Sequence, residues 1–130
     1  MAVRIVRLGT ARAAGEGLRI GTVRRPPRGV PKSAFASQNW YDLWFPELSP
    51  SVPTMQLGLR AQSERERHAF VRKFRAEMAR PQASRTLDLL AALSRQTNFS
   101  VGCYCEDEAR CHRSVLRALL LARGADVAPR

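Results

Sequence analysis

The chain opens on alternation. In VRIVRL, residues 3–8, apolar and basic positions trade places with period two, which predicts a half-buried strand. LRIGTV, residues 18–23, predicts a second short strand. The small-residue loop TARAAGEG separates the two and is compatible with a hairpin without specifying one. The proline-rich stretch RRPPRGVPKS, residues 24–33, forbids a regular element, and ELSPSVPT, residues 47–54, reads as another proline-broken loop.

The period then changes. Ser63 and Glu66 fit the S-x-x-E capping box that opens a helix. Phe70, Phe74 and Met78 recur four apart with Val71 beside them, which gives one apolar face, and Pro81 ends the run. A second helix is predicted from about Ser84 to Gln96, with Leu87, Leu90, Ala91 and Leu93 inward. Asn98 punctuates, and FSVGCYC, residues 99–105, reads as a buried strand. Arg113 to Arg123 is helical, with Val115, Leu116, Leu119 and Leu120 inward, and Gly124 terminates it. GADV adds a last short strand. The order predicts an α/β fold: a single compact domain over residues 1–130 with its core over about 3–127. Its sheet, mixed or parallel and Rossmann-like, is flanked by helices in two or three layers.

Length and composition narrow the class. At 130 residues and 45% hydrophobic, the chain can bury a core. No run of about 18 apolar residues exists, so no membrane partner is predicted. The N-terminus lacks the apolar stretch of a signal peptide, which makes the cytoplasm the expected location. All three cysteines fall within nine positions, unlike a secreted disulfide framework.

The formal charge is +11, and apart from Lys32 and Lys73 every basic residue is arginine. Such charge points towards nucleic acid or another polyanion, although arginines scattered along a chain also serve as plain solvated surface. Phe35, Trp40, Tyr41, Trp44 and Phe45 are five of the nine aromatic residues. Beside arginines they could stack bases. More often such a cluster fills the core or meets a second copy in a homo-oligomer. His68 sits at the border of its helix face and reads as structural or solvated.

The densest chemistry lies in VGCYCEDEARCHRS, residues 101–114. Cys103 and Cys105 share one face of the predicted strand, a loop follows, and Cys111, His112, Arg113 and Ser114 begin the helix. A helix N-terminus favours a thiolate, so Cys111 and Cys105 are candidate reactive thiols. Glu106, Asp107 and Glu108 oppose this with negative charge. The spacing is not that of a phosphatase loop: six positions after Cys105 stands Cys111, and Arg110 falls one early. Cys103, Cys105, Cys111 and His112 also offer a Cys₃His set, but a C-x-C inside a strand is not a zinc knuckle, so no metal is assigned. On the bland reading the cysteines are small buried hydrophobes, Glu106 or Asp107 caps the helix, and Arg113 pairs with an acid.

C-Y-C-E followed by C-H-R-S and an apolar helix resembles the domain of unknown function 488 family. R-R-P-P-R-G-V, Trp40, the L-S-P-S loop at Leu48–Ser51 and the helix with Phe70 and Phe74 resemble its small basic branch. The resemblance covers about residues 18–123. Pro26 and Pro27 stand where that branch usually has Trp-Pro. The resemblance implies a compact α/β fold in bacterial cytoplasm and no known reaction. It maps Arg28 and Gly29 onto a basic segment, and Cys105, Glu106, Cys111, His112 and Arg113 onto the terminal motif.

The expectation is a pocket for an anionic small molecule or nucleotide. Arg24, Arg28, Gly29, Arg113 and Ser114 are its candidate binding residues. Cys105 or Cys111 would be the thiol, His112 the base or hydrogen-bond donor, and Glu106 the orienting acid. No cofactor is implied. The alternatives are a non-catalytic nucleic-acid-binding module and a partner-binding protein.

Overall fold

The computed structural model describes residues 1–130. Four strands, β1 (Val3–Arg7), β2 (Leu18–Gly21), β3 (Leu43–Trp44) and β4 (Phe99–Cys103), form one parallel sheet in the order β1-β4-β2-β3. Four helices complete it: α1 (Val52–Arg60), α2 (Glu64–Met78), α3 (Pro81–Leu93) and α4 (His112–Ala122).

The strand that lacks alternation takes the centre. All five residues of β4 are buried, and it pairs with β1 on one edge and β2 on the other. Strands covered on both faces read as continuous apolar or small runs. This arrangement excludes the hairpin that the loop 10–17 allowed: β1 and β2 run parallel with β4 between them. The last strand shrinks to a single bridge, Val127 to Val3.

One helical layer covers one face. Phe99 and Val101 of β4, Val3 and Ile20 meet Phe70, Phe74 and Met78 of α2, Leu87 and Leu90 of α3, and Val115, Leu116 and Leu120 of α4. The opposite face is covered by loops rather than by helices, which makes the domain two-layered. There Arg19 of β2 and Ser100 of β4 are register partners, and both bond the carboxylate of Glu16. Tyr41 packs on Gly21, where a Cβ would lie 2.4 Å from its ring. The aromatic stretch therefore contributes largely to packing: Tyr41 is buried, and Phe35 and Trp40 are partly buried against the same small cluster.

Three helix ends depart from expectation, two of them because prolines start helices here. Ser51 caps α1 by accepting from Thr54 N–H, and Pro53 sits in the first turn, where no intrahelical donor is needed. The segment read as a broken loop is thus a helix start. Pro81 likewise opens α3 instead of merely ending α2. Ser63 does cap α2, but the Glu66 carboxylate accepts from Gln62 N–H, one residue earlier than the standard reciprocal bond.

The parallel topology places the carboxyl ends of β1, β2 and β4 side by side. Loops from all three meet there, and α4 begins there.

Candidate functional site

β4 ends at Cys103, and the chain turns through residues 104–111 before α4 starts. Asp107 accepts from Ala109 N–H and shapes a short 3-10 turn, Glu108–Arg110. Neither Glu106 nor Asp107 caps α4. Cys111 is the N-cap residue, in extended backbone, and its thiol makes no capping bond. Its side chain turns inward instead, and its Sγ lies 2.7 Å from Cys103 Sγ. Both residues are 2% exposed. At that separation the two sulfurs cannot both carry charge in a dry interior.

His112 is buried with its ring fixed at both nitrogens. Its Nε2 lies 2.7 Å from the carbonyl oxygen of Thr22, which can only accept, so Nε2 carries the proton. Thr22 Oγ1 is 3.2 Å from the same nitrogen and donates to Gly102 O. Nδ1 therefore holds the free lone pair, and it faces Cys111 Sγ at 3.6 Å. Phe74 meets the ring edge-on, at 5.5 Å between centroids. The geometry is a thiol–imidazole couple whose tautomer is set by β2.

Cys105 is the half-buried member of the trio. The neighbouring thiols of Cys103 and Cys111 favour its thiolate, and the charges of Arg113 and Arg67 add to them. Together they outweigh burial and bring its thiol from 9.0 down to about 3. Cys103 moves the other way: buried, and beside two thiols that take the charge more readily, it stays a thiol. The hydrogen bond from Cys103 also lowers Cys111, with His112 assisting. The exposed acids at 106 and 107 do not reverse this, because solvent screens them and the arginines are closer in.

Two arginines build the turn. Arg113 is 3% exposed and donates from Nη2 to the carbonyl of Cys105, while its Nε is buried with no partner. It pairs with no carboxylate; the sulfurs are its neighbours. Arg67, on α2, reaches across to the carbonyls of Ala109, Arg110 and Cys111 at 3.0–3.2 Å. Nothing in the cysteine motif announces Arg67 or Thr22; the pattern around Arg67 shows only a charged helix face. Arg67→Ala should loosen the turn at a cost of about 1–3 kcal/mol. It should also raise the pH at which Cys105 alkylates, a shift that a purely structural role for Arg67 would not produce.

The sequence candidates separate into two groups. Cys103, Cys105, His112 and Arg24 line one apolar cavity of about 270 Å³ with Val23, Pro50 and Met55. Arg24 Nε and Nη2 are engaged by the carbonyls of Pro50 and Ser49. Tyr104 Oη donates to the carbonyl of Arg25, so the basic loop and the cysteine turn do meet. Arg113 and Ser114 stand behind the turn; Ser114 Oγ donates to Cys111 O. Glu106 is exposed and makes no hydrogen bond, and Arg28 and Gly29 are exposed away from the thiols. His68 is exposed.

Cys103, Cys111 and His112 also bring three metal-ligating atoms within 4.8 Å of one another. The donor types would suit zinc, but two thiolates on tetrahedral zinc stand about 3.8 Å apart. The observed pair is closer and would have to open.

No helix is long and apolar enough to cross a membrane. No curated protein and no solved structure matches the chain. The family model described as the active DUF488-N3 subclade, DUF488-N3a, matches residues 3–124. That match spans the sheet, all four helices and the cysteine turn, and the chain belongs to the DUF488 family.

Proposed function

We propose that the protein is a thiol enzyme that binds an anionic small molecule and works through Cys105. One observation carries this reading: the half-buried Cys105 is biased to thiolate by neighbouring thiols and arginines and opens on an apolar cavity. A thiolate beside an apolar cavity is placed to attack an electrophile, whereas a packing cysteine has no reason to ionise. The unpartnered Nε of Arg113 supports an anion at the same place. The description of the matching subclade as active agrees with it.

The chemistry is group transfer or hydrolysis. Cys105 sulfur forms a bond to the electrophilic centre as the leaving group departs with the bonding pair. Water or a second acceptor then takes the group and restores the thiolate. His112 exchanges a proton with Cys111 at Nδ1, which keeps a proton donor beside the reacting sulfur. Glu106 has no contact through which to orient any of these groups. Closely grouped free thiols suit a reducing compartment, and we place the protein in the cytoplasm.

The test is the alkylation rate of each cysteine with iodoacetamide against pH, with bound metal assayed on the same sample. Cys105 should react fast and almost independently of pH from about 5 to 8, because thiolate is fully present above the lowered folded pKa. Cys105→Ser should remove that reactivity, and Cys103→Ala should shift it to higher pH by removing the neighbouring thiol proton. Slow alkylation of all three cysteines without metal would make them packing residues. Protection by one equivalent of zinc would replace the thiol site with a metal site.

A further inference from the structure

Tyr104 separates the thiol cavity from a second, larger cleft. This cleft measures about 580 Å³ and lies at the carboxyl end of β1, where parallel sheets present ligands. Arg7, Arg25 and Arg28 line it, with no aspartate or glutamate among its walls. Arg25 and Arg28 are exposed, and their side chains form no ion pair or hydrogen bond; Arg7 Nε donates only to Tyr104 O, at 3.3 Å. Three nearby acids are already committed to other arginines. Glu16 holds Arg19, Asp42 holds Arg12, and Glu108 holds Arg117. Three guanidiniums are thus left facing one hollow without a counter-charge.

The same hollow has an aromatic floor. Trp40 and Tyr104 meet edge-to-face, with centroids 5.9 Å apart. The indole lies against Gly9, where any Cβ would come within 2.8 Å of the ring, so its position is fixed by the bare backbone beneath it. Neither solvation nor core packing requires cations and fixed rings to converge in this way. Forked guanidiniums match phosphate oxygens, and a fixed indole offers a face or edge to a planar base.

The geometry points to a nucleoside phosphate as the occupant of this cleft, with its phosphates on Arg7, Arg25 and Arg28 and its base against Trp40 and Tyr104. Tyr104 and Arg25 line both hollows, so a ligand seated here lies one side chain from the cavity of Cys105. The inference rests on the thiol reading for what is then done to the ligand, but not for the binding itself. A free mononucleotide and the phosphorylated end of a polynucleotide present the same chemistry.

The experiment is calorimetric titration of the reduced full chain with adenosine diphosphate, ribose 5-phosphate and a 5′-phosphorylated tetranucleotide. Adenosine diphosphate should bind, and ribose 5-phosphate should bind about tenfold more weakly because it lacks the stacked base. Arg25→Ala and Arg28→Ala should each weaken binding about tenfold, the equivalent of one charge-assisted hydrogen bond. Both side chains are exposed and unpaired, so the fold should tolerate these changes. A tetranucleotide that binds at least as tightly as the diphosphate, with strong salt dependence, supports the inference and identifies a strand end as the source. No binding of either nucleotide probe at about 1 mM overturns the inference. So does binding that neither arginine variant alters. Cys105→Ser keeps the two proposals apart: binding should persist in the variant, and a wild-type chain that alkylates fast at Cys105 but binds neither nucleotide fails this inference alone. Binding without a reactive Cys105 fails only the thiol enzyme.

Discussion

Arg19→Met is expected to destabilise the protein by about 3–5 kcal/mol, read as a fall in the urea midpoint with the slope unchanged. Arg19 is completely buried on the loop-covered face of the sheet. Its Nε and Nη2 hold the two oxygens of Glu16 at 2.8 and 3.1 Å, and its Nη1 donates to the carbonyls of Thr10 and Asn39. Ser100 Oγ adds a third bond to Glu16, at 2.7 Å. One guanidinium therefore ties the loop 10–17, the turn before Tyr41 and the centre of the sheet together. Its removal leaves the Glu16 carboxylate buried without its counter-charge and the carbonyl of Thr10 without a donor. Loss of less than about 1 kcal/mol would show that this face is not the dry plug its burial implies.

The same pair sets an acid limit. Burial pushes the Glu16 carboxyl up, but Arg19, Ser100 and the Ala13 N–H outweigh it and bring it from 4.5 down to about 2. The folded value is below the unfolded one. The stabilisation is therefore fully present above pH 4.5 and lost as pH falls towards about 2. It amounts to about 3 kcal/mol. Melting temperatures measured from pH 6 to 2 should drop over that window, and the Glu16→Gln variant, already weaker, should lose less across it.

Gly17→Ala is the second large effect, with an expected loss above about 3 kcal/mol. Gly17 has φ +79°, which an L side chain enters at a cost of about 1–2 kcal/mol. Worse, a Cβ there would lie 2.0 Å from the carbonyl oxygen of Asn98 and 2.8 Å from its carbonyl carbon. Backbone stands against backbone, so no side chain can swing away. The next residues, Leu18 and Phe99, begin the β2–β4 ladder, so relief of the clash must part these strands at their start. Hydrogen exchange at Ile20 and Val101 should accelerate with the loss of stability. Unchanged protection at both amides would argue against the clash.

Much of the architecture is legible in local pattern. The alternation in residues 3–8, the four-residue spacing of Phe70, Phe74 and Met78, and the unbroken small and apolar run of β4 each reflect a periodicity that backbone geometry imposes on buried side chains. The prolines were less legible. Pro53 and Pro81 are breakers inside a helix and starters in its first turn, and which role applies depends on whether the missing N–H had a partner. Composition cannot decide that.

The site was half legible. A dense polar turn between a strand and a helix marks Cys105, Cys111, His112 and Arg113, because such groups are costly to bury without a use. Arg67 and Thr22 were invisible, since a helix arginine and a strand-end threonine carry no signature until distant segments close on them. Glu106 looked equal to its neighbours and turned out to be solvated. Glu16 and Arg19 read as loop and strand polarity, yet they form the most buried ion pair in the chain.

Sequence by itself determined strands β1, β2 and β4, the faces of α2, α3 and α4, and the turn that holds the candidate site, because those follow from spacing along one backbone. Tertiary structure alone decided the strand order, the tautomer of His112, the bias of Cys105 towards thiolate and the basic cleft beside it. Each of these depends on groups far apart in the chain, whose burial and mutual distance set their hydrogen bonds and their charge.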